Sequence, residues 1–382
     1  MINKLSESDA GRLKSYMQNT FERAENFIGY PIARDFDYAE LYPLLRLPLN
    51  NIGDPLLRST YDLSSREMEQ EVLNFFADIF HVPENNWWGY VNNGGSEGNL
   101  YALYAARELY PEGIVYYSDA THYSVQKNIK LLNIPSIQIR TLPSGEIDYA
   151  DLQGMINLNR SKPVIIVANI GTTMTEAKDD LSKLRSIFEG LRIENYYIHC
   201  DAALAGVYSA LLELKPGFDF RYGADSISIS GHKFIGSPLP CGVVLIKKNH
   251  KDRIGRKVSY IGTVDTTISG SRNGHTPLFL WYAIKCMGVE GLRDRGITCL
   301  ANAAYAESRL NEIGVNAWRN TDAITVVLPE VSAAVREKWQ IATSAGISHI
   351  ICMPGVSREK IEEFVQDVAT SLQVDPIPYV LA

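Results

Sequence analysis

No uninterrupted apolar stretch of about 18 residues occurs in the sequence, so a membrane-spanning helix is not expected. Basic side chains are not in excess either, because 37 Lys and Arg face 44 Asp and Glu and leave a formal net charge of −7. This balance argues against nucleic acid or an anionic membrane as the main partner and leaves a small-molecule substrate as the default. The polar residues 1–11 precede no apolar run, and we predict a cytoplasmic protein without a cleaved leader.

Cysteine is scarce, and the five cysteines are odd in number, scattered and without a C-x-x-C pair. This pattern predicts neither a disulfide framework nor a zinc site, and no metal site is expected. We expect buried thiols in a reducing compartment at Cys200, Cys241, Cys286, Cys299 and Cys352. Internal repeats and low-complexity tracts are absent too, whereas 46% hydrophobic and 21% charged residues are ordinary for a large folded protein.

Between residues 85 and 250, short β-branched or aromatic runs alternate with helical patterns. The predicted strands are Ile114–Tyr117, Ile137–Thr141, Val164–Ala168, Tyr197–His199, Ser226–Ser230 and Val243–Ile246. Apolar residues at helical spacing predict a helix over 68–79, and another is predicted over 98–109 after a glycine-rich turn. This order predicts the α/β class, with a mostly parallel, doubly wound central sheet and helices on both faces.

After residue 288 the pattern becomes helix, strand, helix, strand, helix, which predicts a small C-terminal α/β domain. Its elements are expected over 298–313, 325–328, 332–342, 348–353 and 358–372. Near the N-terminus, one helical stretch precedes an irregular segment over 29–62 that is too long for a simple connector. We predict three parts: 1–62 with the N-terminal helix and a wrapping segment, a large domain over 63–288, and the small domain over 289–382.

A lysine stands just past one predicted strand, in the run Ser230, Gly231, His232, Lys233. The carboxyl ends of strands in an α/β sheet face the ligand crevice, and a carbonyl cofactor requires a lysine amine at such a place. Polar neighbours could also hold the phosphate of that cofactor. The alternative is an ordinary surface lysine after a strand, and these four residues alone do not decide between the two.

An aspartate, Asp201, follows another predicted strand in the run Asp201, Ala202, Ala203. Its carboxylate could pair with a protonated pyridine nitrogen and keep the ring an electron sink. A buried aspartate that caps the next helix is the alternative. Because 32 residues separate Asp201 from Lys233, the two belong to different strand–helix units, which favours the functional interpretation.

A glycine-rich run over residues 92–99, Asn-Asn-Gly-Gly-Ser-Glu-Gly-Asn, opens the second predicted helix. At Gly94 and Gly95 the backbone can approach an anion closely, while helix N-terminal amides and the Ser96 hydroxyl donate to it. The run is no dinucleotide fingerprint, because the G-x-G-x-x-G spacing and a preceding strand are both missing. A plain capping turn is the alternative.

Two further side chains follow predicted strands. His122 could stack on a cofactor ring and touch a substrate carboxylate, although a satisfied structural histidine is the alternative. Thr173 could offer its hydroxyl to the phenolic oxygen of a cofactor, and this motif by itself decides nothing. The five groups together are expected at the carboxyl ends of successive strands, which predicts one shared crevice.

These motifs resemble those of the pyridoxal 5′-phosphate (PLP)-dependent group II amino-acid decarboxylases, most closely the bacterial histidine decarboxylases and the plant serine decarboxylases. The resemblance extends over nearly the whole chain. Further runs that carry it are Tyr30-Pro31 with 35–38, Asn50-Asn51 with Gly53-Asp54, Trp88-Gly89-Tyr90, and 270–275.

The resemblance implies a PLP enzyme of fold type I, the aspartate-aminotransferase type, that forms a homodimer with active sites at the interface. It makes Lys233 the Schiff-base lysine, Asp201 the partner of the pyridine nitrogen and His122 the ring-stacking histidine. Tyr260 could lie on a mobile loop and supply a proton. The remaining implied cofactor-binding positions are Gly94, Gly95, Ser96, Thr173, Ala203, Ser230, His232 and, from the neighbouring subunit, Ser271 and Arg272.

The implied reaction is carboxy-lyase chemistry, in which an L-amino acid loses CO2 and leaves a primary amine. Ile32 and Ala323 stand where the relatives carry more polar or aromatic residues, and with Ile52 they favour a neutral aliphatic substrate such as leucine or valine. Histidine and then serine are the alternatives. A different PLP reaction, such as transamination or β-elimination, and a catalytically inert binding protein of the same fold also stay open.

Overall fold

The structure, a computed structural model, describes residues 4–374 and is built around a seven-stranded sheet. The strands are β1 (Trp87–Asn92), β2 (Ile114–Ser118), β3 (Ser136–Ile139), β4 (Val164–Asn169), β5 (Tyr196–Asp201), β6 (Ser226–Ser230) and β7 (Gly242–Lys247). They lie in the order β1-β7-β6-β5-β4-β2-β3, and β7 runs antiparallel to both of its neighbours. The other pairings are parallel, so the predicted α/β class with a mostly parallel sheet is confirmed.

All six predicted strands are present, with ends that differ from the prediction by no more than two residues. The apolar runs fit a sheet covered by other elements, since every residue of β4 is buried. The first strand, β1, was missed because Gly89 interrupts its aromatic sequence, WWGYVN, and glycine is depleted in strands. The expectation that no strand precedes the glycine-rich run is therefore wrong.

Eleven α-helices occur in residues 4–374, and most of them cover or flank the sheet. They are α1 (Glu7–Glu25), α2 (Arg66–Ile79), α3 (Gly95–Leu109), α4 (Tyr123–Leu132), α5 (Tyr149–Leu158), α6 (Leu181–Leu191), α7 (Gly206–Leu211), α8 (Lys248–Lys251), α9 (Thr276–Glu312), α10 (Ala333–Trp339) and α11 (Arg358–Val374). The helix predicted over 68–79 is α2, and the one predicted over 98–109 is α3, which begins three residues earlier at Gly95.

The C-terminal part has a small antiparallel sheet of β10 (Thr325–Pro329), β12 (Ile347–Ile351) and the two-residue β11 (Thr343–Ser344), in the order β10-β12-β11. Its predicted elements are present, but the first helix starts well before residue 298. It is the second half of α9, which bends at Gly288, where φ is 63°. The division into three domains stays a prediction, with this bend at one of its proposed boundaries.

Two regions stand apart from the central sheet. A short hairpin of β8 (Arg256–Val258) and β9 (Thr263–Asp265) carries the turn Ser259–Ile261 between its strands. At the other end, α1 buries none of its residues against the rest of the chain. No helix in the described part of the chain is long and apolar enough to cross a membrane.

The cysteines are free thiols, and four of the five are buried as expected. Cys286 is exposed, so the expectation of burial is wrong for this residue. It lies on α9 two residues before the bend at Gly288.

Candidate active site

The parallel strands end at one edge of the sheet, and the predicted site residues follow those ends. Lys233 lies three residues after β6, Asp201 is the last residue of β5, and His122 follows β2. The glycine-rich run follows β1, which is antiparallel to β7 and therefore has the same direction as β6. We call His122, Asp201, Ser230 and Lys233, with Gly94 and Gly95, the strand-end cluster.

Lys233 lies in a turn whose backbone is anchored from two sides. Its carbonyl oxygen accepts from the amide of Ala33 at 3.3 Å, while the Arg295 guanidinium donates to the carbonyls of Phe234 at 2.6 Å and Ile235 at 3.1 Å. Arg295 is itself paired with Asp35. Burial lowers the pKa of the Lys233 amine, and the charge of Asp201 partly opposes this shift. A more readily neutral amine is the form that attacks a carbonyl.

The Asp201 carboxylate is buried, and each of its oxygens accepts a hydrogen bond. Oδ2 accepts from the Asn99 side-chain amide at 2.7 Å, and Oδ1 accepts from the backbone amide of Ala203 at 3.2 Å. Its charge acts to raise the pKa of Lys233 and of His122, against the lowering that burial causes. A carboxylate held in this way suits a positively charged partner such as a protonated pyridine nitrogen.

His122 is a half-buried ring at the N-terminus of α4. Its Nδ1 lies 2.7 Å from the Ser124 hydroxyl and accepts from the Ser124 amide at 3.3 Å, so the imidazole also acts as the helix N-cap. Burial lowers its pKa, Asp201 opposes this shift, and Lys233 adds to it. The ring is thus favoured in its neutral form, which suits stacking on a flat cofactor.

The glycine-rich run forms a close backbone cradle at the N-terminus of α3. Gly94 has φ 131°, a conformation that favours glycine, and a Cβ on Gly95 would lie 2.9 Å from the Ala203 Cβ and 3.0 Å from the Ser230 hydroxyl. The Gly95 amide donates to that hydroxyl at 3.2 Å. The cradle thus lies at a helix N-terminus, where backbone amides can bind a phosphate.

The other predicted cofactor positions differ in burial. His232 is half-buried, with Nδ1 at 2.9 Å from the carbonyl oxygen of Cys241, and burial lowers its pKa. Ser96 is exposed at the start of α3, while its carbonyl accepts from the Asn128 amide at 2.9 Å. Thr173 is exposed in the loop after β4, and Ala203 is half-buried after β5. All four therefore lie after strand ends, and for Ser96 that strand is β1, which the sequence analysis did not predict.

Arg272 and Ser271 take part in other contacts. The Arg272 guanidinium is buried, pairs with Glu69 and donates to the carbonyls of Val91 at 3.3 Å and Gly53 at 3.2 Å. Ser271 accepts from the Asn50 amide at 3.1 Å. The Arg272 guanidinium is thus held by contacts within this chain, and its role toward the cofactor stays a prediction. The exposed Ser271 has no recorded contact with the strand-end cluster.

Tyr260 lies in the turn between β8 and β9, where its side chain is 87% exposed. Of the predicted pocket residues, Ile32 precedes Ala33 and so lies beside the Lys233 turn, where it is 41% exposed. Ala323 is fully buried and Ile52 is half-buried. Burial therefore differs among the three residues, and their place in a substrate pocket stays a prediction.

Sequence reasoning missed several residues behind the site. Asn99 lies in the glycine-rich run and His199 in a predicted strand, but the sequence motifs predict no functional role for either side chain. The buried Glu176 accepts from the Ile324 amide at 3.1 Å, which joins the Thr173 loop to β10. His349 joins the same loop to residue Gly29 through contacts of 3.2 Å to the Met174 and Gly29 carbonyls. No spacing pattern indicates these contacts, because each joins distant parts of the chain.

The strand-end cluster fits PLP on three counts. It has an amine whose pKa is lowered, a buried carboxylate with donors on both oxygens, and a glycine cradle at a helix N-terminus. These are the groups that a pyridine aldehyde with a phosphate requires. Within residues 4–374 no group of three or more His, Cys, Asp or Glu could hold a metal ion.

Comparison with known proteins agrees with this fit. A family model described as the pyridoxal-dependent decarboxylase conserved domain matches residues 51–316. The histidine decarboxylase of Mesorhizobium japonicum is 46% identical over 365 residues, which are 96% of this chain and 99% of that protein. Serine decarboxylase 2 of Oryza sativa is 42% identical over 360 residues, which are 94% of this chain and 77% of that protein.

The fold also has solved counterparts. L-methionine decarboxylase of Streptomyces sp. 590 matches with a TM-score of 0.88 at 24% identity, over 97% of this chain and 96% of that one. Glutamate decarboxylase of Lactobacillus brevis matches with a TM-score of 0.78 at 19% identity, over 98% of this chain and 93% of that one. At these identities the likeness bears on the fold alone. The chain belongs to the PLP-dependent decarboxylase family, with its fold type I architecture and its cofactor.

Proposed function

We propose that this PLP-dependent amino-acid decarboxylase acts on L-histidine and releases histamine and CO2. The observation that carries the proposal is full-length similarity, since the Mesorhizobium japonicum protein named histidine decarboxylase is 46% identical over 96% of this chain. A second such protein, from Vibrio anguillarum, is 44% identical over 97% of the chain. Serine is a further candidate because the rice relative is named for it.

A neutral aliphatic substrate such as leucine or valine is the second candidate. Ile32, beside the Lys233 turn, is the observation that favours it, because an apolar side chain offers no partner to a desolvated imidazole. The burial of these residues supports an aliphatic substrate less than the sequence alone does. Ala323 is fully buried, and Ile32 is 41% exposed, so neither one by itself forms an apolar wall around a substrate.

The proposed roles follow from the contacts of each side chain. PLP, when bound, supplies an electron sink for the electron pair that departure of the carboxylate leaves at Cα. Lys233 would hold the cofactor, Asp201 would pair with its ring nitrogen, and His122 would lie against the ring. Gly94, Gly95, Ser96, Ser230 and His232 would bind the phosphate, with Thr173 near the phenolic oxygen and Ala203 beside Asp201.

The protein must also control a proton. Loss of CO2 breaks the bond between Cα and the carboxylate, and a new bond from Cα to a proton completes the amine. Tyr260 is proposed as the donor, since its hydroxyl is exposed on a turn and free to approach a bound substrate. His122 is half-buried and favoured in its neutral form, so its ring is the less exposed of the two groups.

A homodimer is proposed from the exposed apolar surface of the N-terminal part. Helix α1 has 19 residues and buries none, yet Leu13, Met17 and Phe21 lie along one side of it at a spacing of four. A helix stabilised by no packing is marginal in water, so a second copy that covers this side would stabilise it. A cytoplasmic location stays a prediction.

Sedimentation velocity tests the dimer. Substitution of Leu13→Ser together with Phe21→Ser is expected to raise the dimer dissociation constant roughly tenfold or more, because two apolar side chains leave the interface. Gln18→Ala, which changes a polar side chain of the same helix, is the control and is expected to leave the dimer unchanged. A monomeric wild-type protein would contradict the proposal.

Substrate is tested by incubating the PLP-loaded protein with each proteinogenic L-amino acid and measuring amine and CO2. Histamine and CO2 from histidine, absent with Lys233→Ala, is the expected result. Amine from leucine or valine instead would support the second candidate, and amine only from serine would support the third. A keto acid without CO2 would indicate transamination, and cofactor binding without any product would indicate an inert binding protein.

A further inference from the structure

Behind Asp201 lies a chain of buried side-chain hydrogen bonds that the roles above do not use. The Asn99 amide nitrogen donates to Asp201 Oδ2 at 2.7 Å, and Asn99 Oδ1 lies 2.9 Å from His199 Nε2. His199 Nδ1 in turn lies 2.8 Å from the Ser226 hydroxyl. His199 and Ser226 are fully buried, and Asn99 is 1% exposed, so water does not compete for these contacts.

The chemistry of the four groups gives this chain one direction. An ionised carboxylate only accepts, so Asn99 must turn its NH2 group toward Asp201 and its oxygen toward His199. The oxygen requires a donor, and His199 therefore carries its proton on Nε2, which leaves Nδ1 to accept from Ser226. Each link thus donates toward Asp201.

Close packing of α3 on the sheet brings Asn99 within reach of Asp201. A Cβ on Gly98 would lie 2.3 Å from the Ser228 hydroxyl, and that hydroxyl donates to the Gly95 carbonyl at 3.2 Å. Any larger residue at 98 would push the helix away from β6. The same glycine-rich run therefore serves the phosphate cradle at its start and the Asp201 contact one turn later.

We propose that Asn99, His199 and Ser226 are positioning residues that hold the Asp201 carboxylate in one orientation toward the ring nitrogen of the cofactor. This inference rests on the proposed role of Asp201. Asn99 supplies a donor to one oxygen, and the Ala203 amide supplies a donor to the other. Together they fix the plane of the carboxylate, and His199 fixes Asn99. A carboxylate that has lost one donor rotates and binds a protonated ring nitrogen less well.

The test compares PLP affinity, measured by titrating apoprotein and following the absorbance of bound cofactor, with thermal unfolding of the same apoproteins. Asp201→Asn is the reference and is expected to weaken PLP binding most. Asn99→Leu, which keeps the side-chain size but removes the amide, is expected to weaken PLP binding roughly 10- to 100-fold. Asn302→Leu removes a partly buried amide that donates to the Val356 carbonyl at 2.9 Å, and it is expected to leave PLP affinity unchanged.

Two substitutions at position 199 separate positioning from packing. The amide nitrogen of glutamine reaches the place of His Nε2, whereas that of asparagine reaches only the place of Nδ1. His199→Gln should therefore keep PLP affinity and the pH dependence of the cofactor absorbance near those of the wild type. His199→Asn should lose affinity to nearly the same extent as Asn99→Leu.

The outcomes are distinct. Equal PLP affinity for His199→Gln and His199→Asn, or wild-type affinity for Asn99→Leu, would overturn the inference while leaving Asp201 in its proposed role. If Asp201→Asn itself binds PLP like the wild type, the proposed role of Asp201 fails and the inference fails with it. Loss of affinity that only follows loss of thermal stability across all variants, Asn302→Leu included, would also overturn it.

Discussion

The strand-end cluster and the segments outside it differ in how completely a single chain builds them. Asp201 is 7% exposed and has hydrogen bonds from two elements, and the Lys233 turn is anchored by Ala33 and Arg295. By contrast, Ile32 is 41% exposed and Tyr260 is 87% exposed.

We call residues 29–33 and the turn Ser259–Ile261 the outer segments. The proposed cofactor contacts thus use buried, prearranged groups, whereas substrate choice and proton delivery are proposed for side chains that a single chain leaves open.

Lys233→Ala is the strongest test of the cluster. It removes the amine that would hold the cofactor, so we expect amine production to fall by more than roughly 1000-fold, together with loss of the absorbance of lysine-bound cofactor. Amine assays and absorbance spectra measure the two effects. Lys162→Ala, at an exposed lysine paired with Glu112, is the control and should change neither. Residual activity near that of the wild type would exclude Lys233 from the reaction.

Tyr260→Phe tests the outer segments. If this phenol supplies the proton, kcat should fall roughly 100-fold, the scale of general acid catalysis, while PLP affinity and Tm stay unchanged because the side chain is exposed. Steady-state kinetics and thermal unfolding measure these effects. Tyr16→Phe, at a tyrosine that is 68% exposed on α1, is the matched control. An unchanged kcat would assign the proton to another group.

The free energy of unfolding at acidic pH tests whether His199, behind the strand-end cluster, is shielded from water. Burial lowers the pKa of His199 from 6.5 to about 4, with the charge of Asp201 opposing and the neutral Asn99 and Ser226 in direct contact. As the pH falls below 6.5, His199 binds a proton in the unfolded chain but stays neutral in the folded protein. The free energy of unfolding therefore falls.

Replacement by His199→Gln removes this proton linkage. Between pH 7 and pH 5 the wild-type apoprotein should therefore lose about 2 kcal/mol more stability than the variant, a difference that urea unfolding at each pH measures. Other histidines whose pKa burial lowers, including His122 and His349, are present in both proteins and cancel in the comparison. Equal losses in both proteins would show that His199 is reached by water in the folded state.

Ile32→Ser tests substrate choice with the smallest expected effect. A hydroxyl beside the Lys233 turn offers a partner to a polar side chain, so kcat/KM for histidine relative to leucine should rise roughly tenfold. Competition assays with both amino acids measure the ratio. Ile268→Ser, at an isoleucine that is 39% exposed, is the matched control. An unchanged ratio would remove Ile32 from the substrate pocket.

Local sequence was sufficient for much of the fold and of the cluster. Six short strands were predicted correctly, most clearly β4 and β7, because residues buried on both faces of a sheet read as continuous apolar runs. The positions of Lys233, Asp201 and His122 were predicted from the strand ends, because parallel strands end at one edge of the sheet. The strand β1 was missed because Gly89 interrupts its aromatic residues, and glycine is depleted in strands.

By itself, the sequence determined the class of fold, the strand ends and, with the family resemblance, the cofactor and the type of reaction. Only the tertiary structure decided which side chains meet across long separations. Asn99 and Asp201 are 102 residues apart in the sequence and hydrogen-bonded in the fold. The same holds for Arg295 and Phe234, which are 61 residues apart. Arg272 pairs with Glu69 across a separation of 203 residues. The physical reason is that strand and helix periods depend on neighbours in the chain, whereas the partner of a buried polar group depends on how distant elements pack.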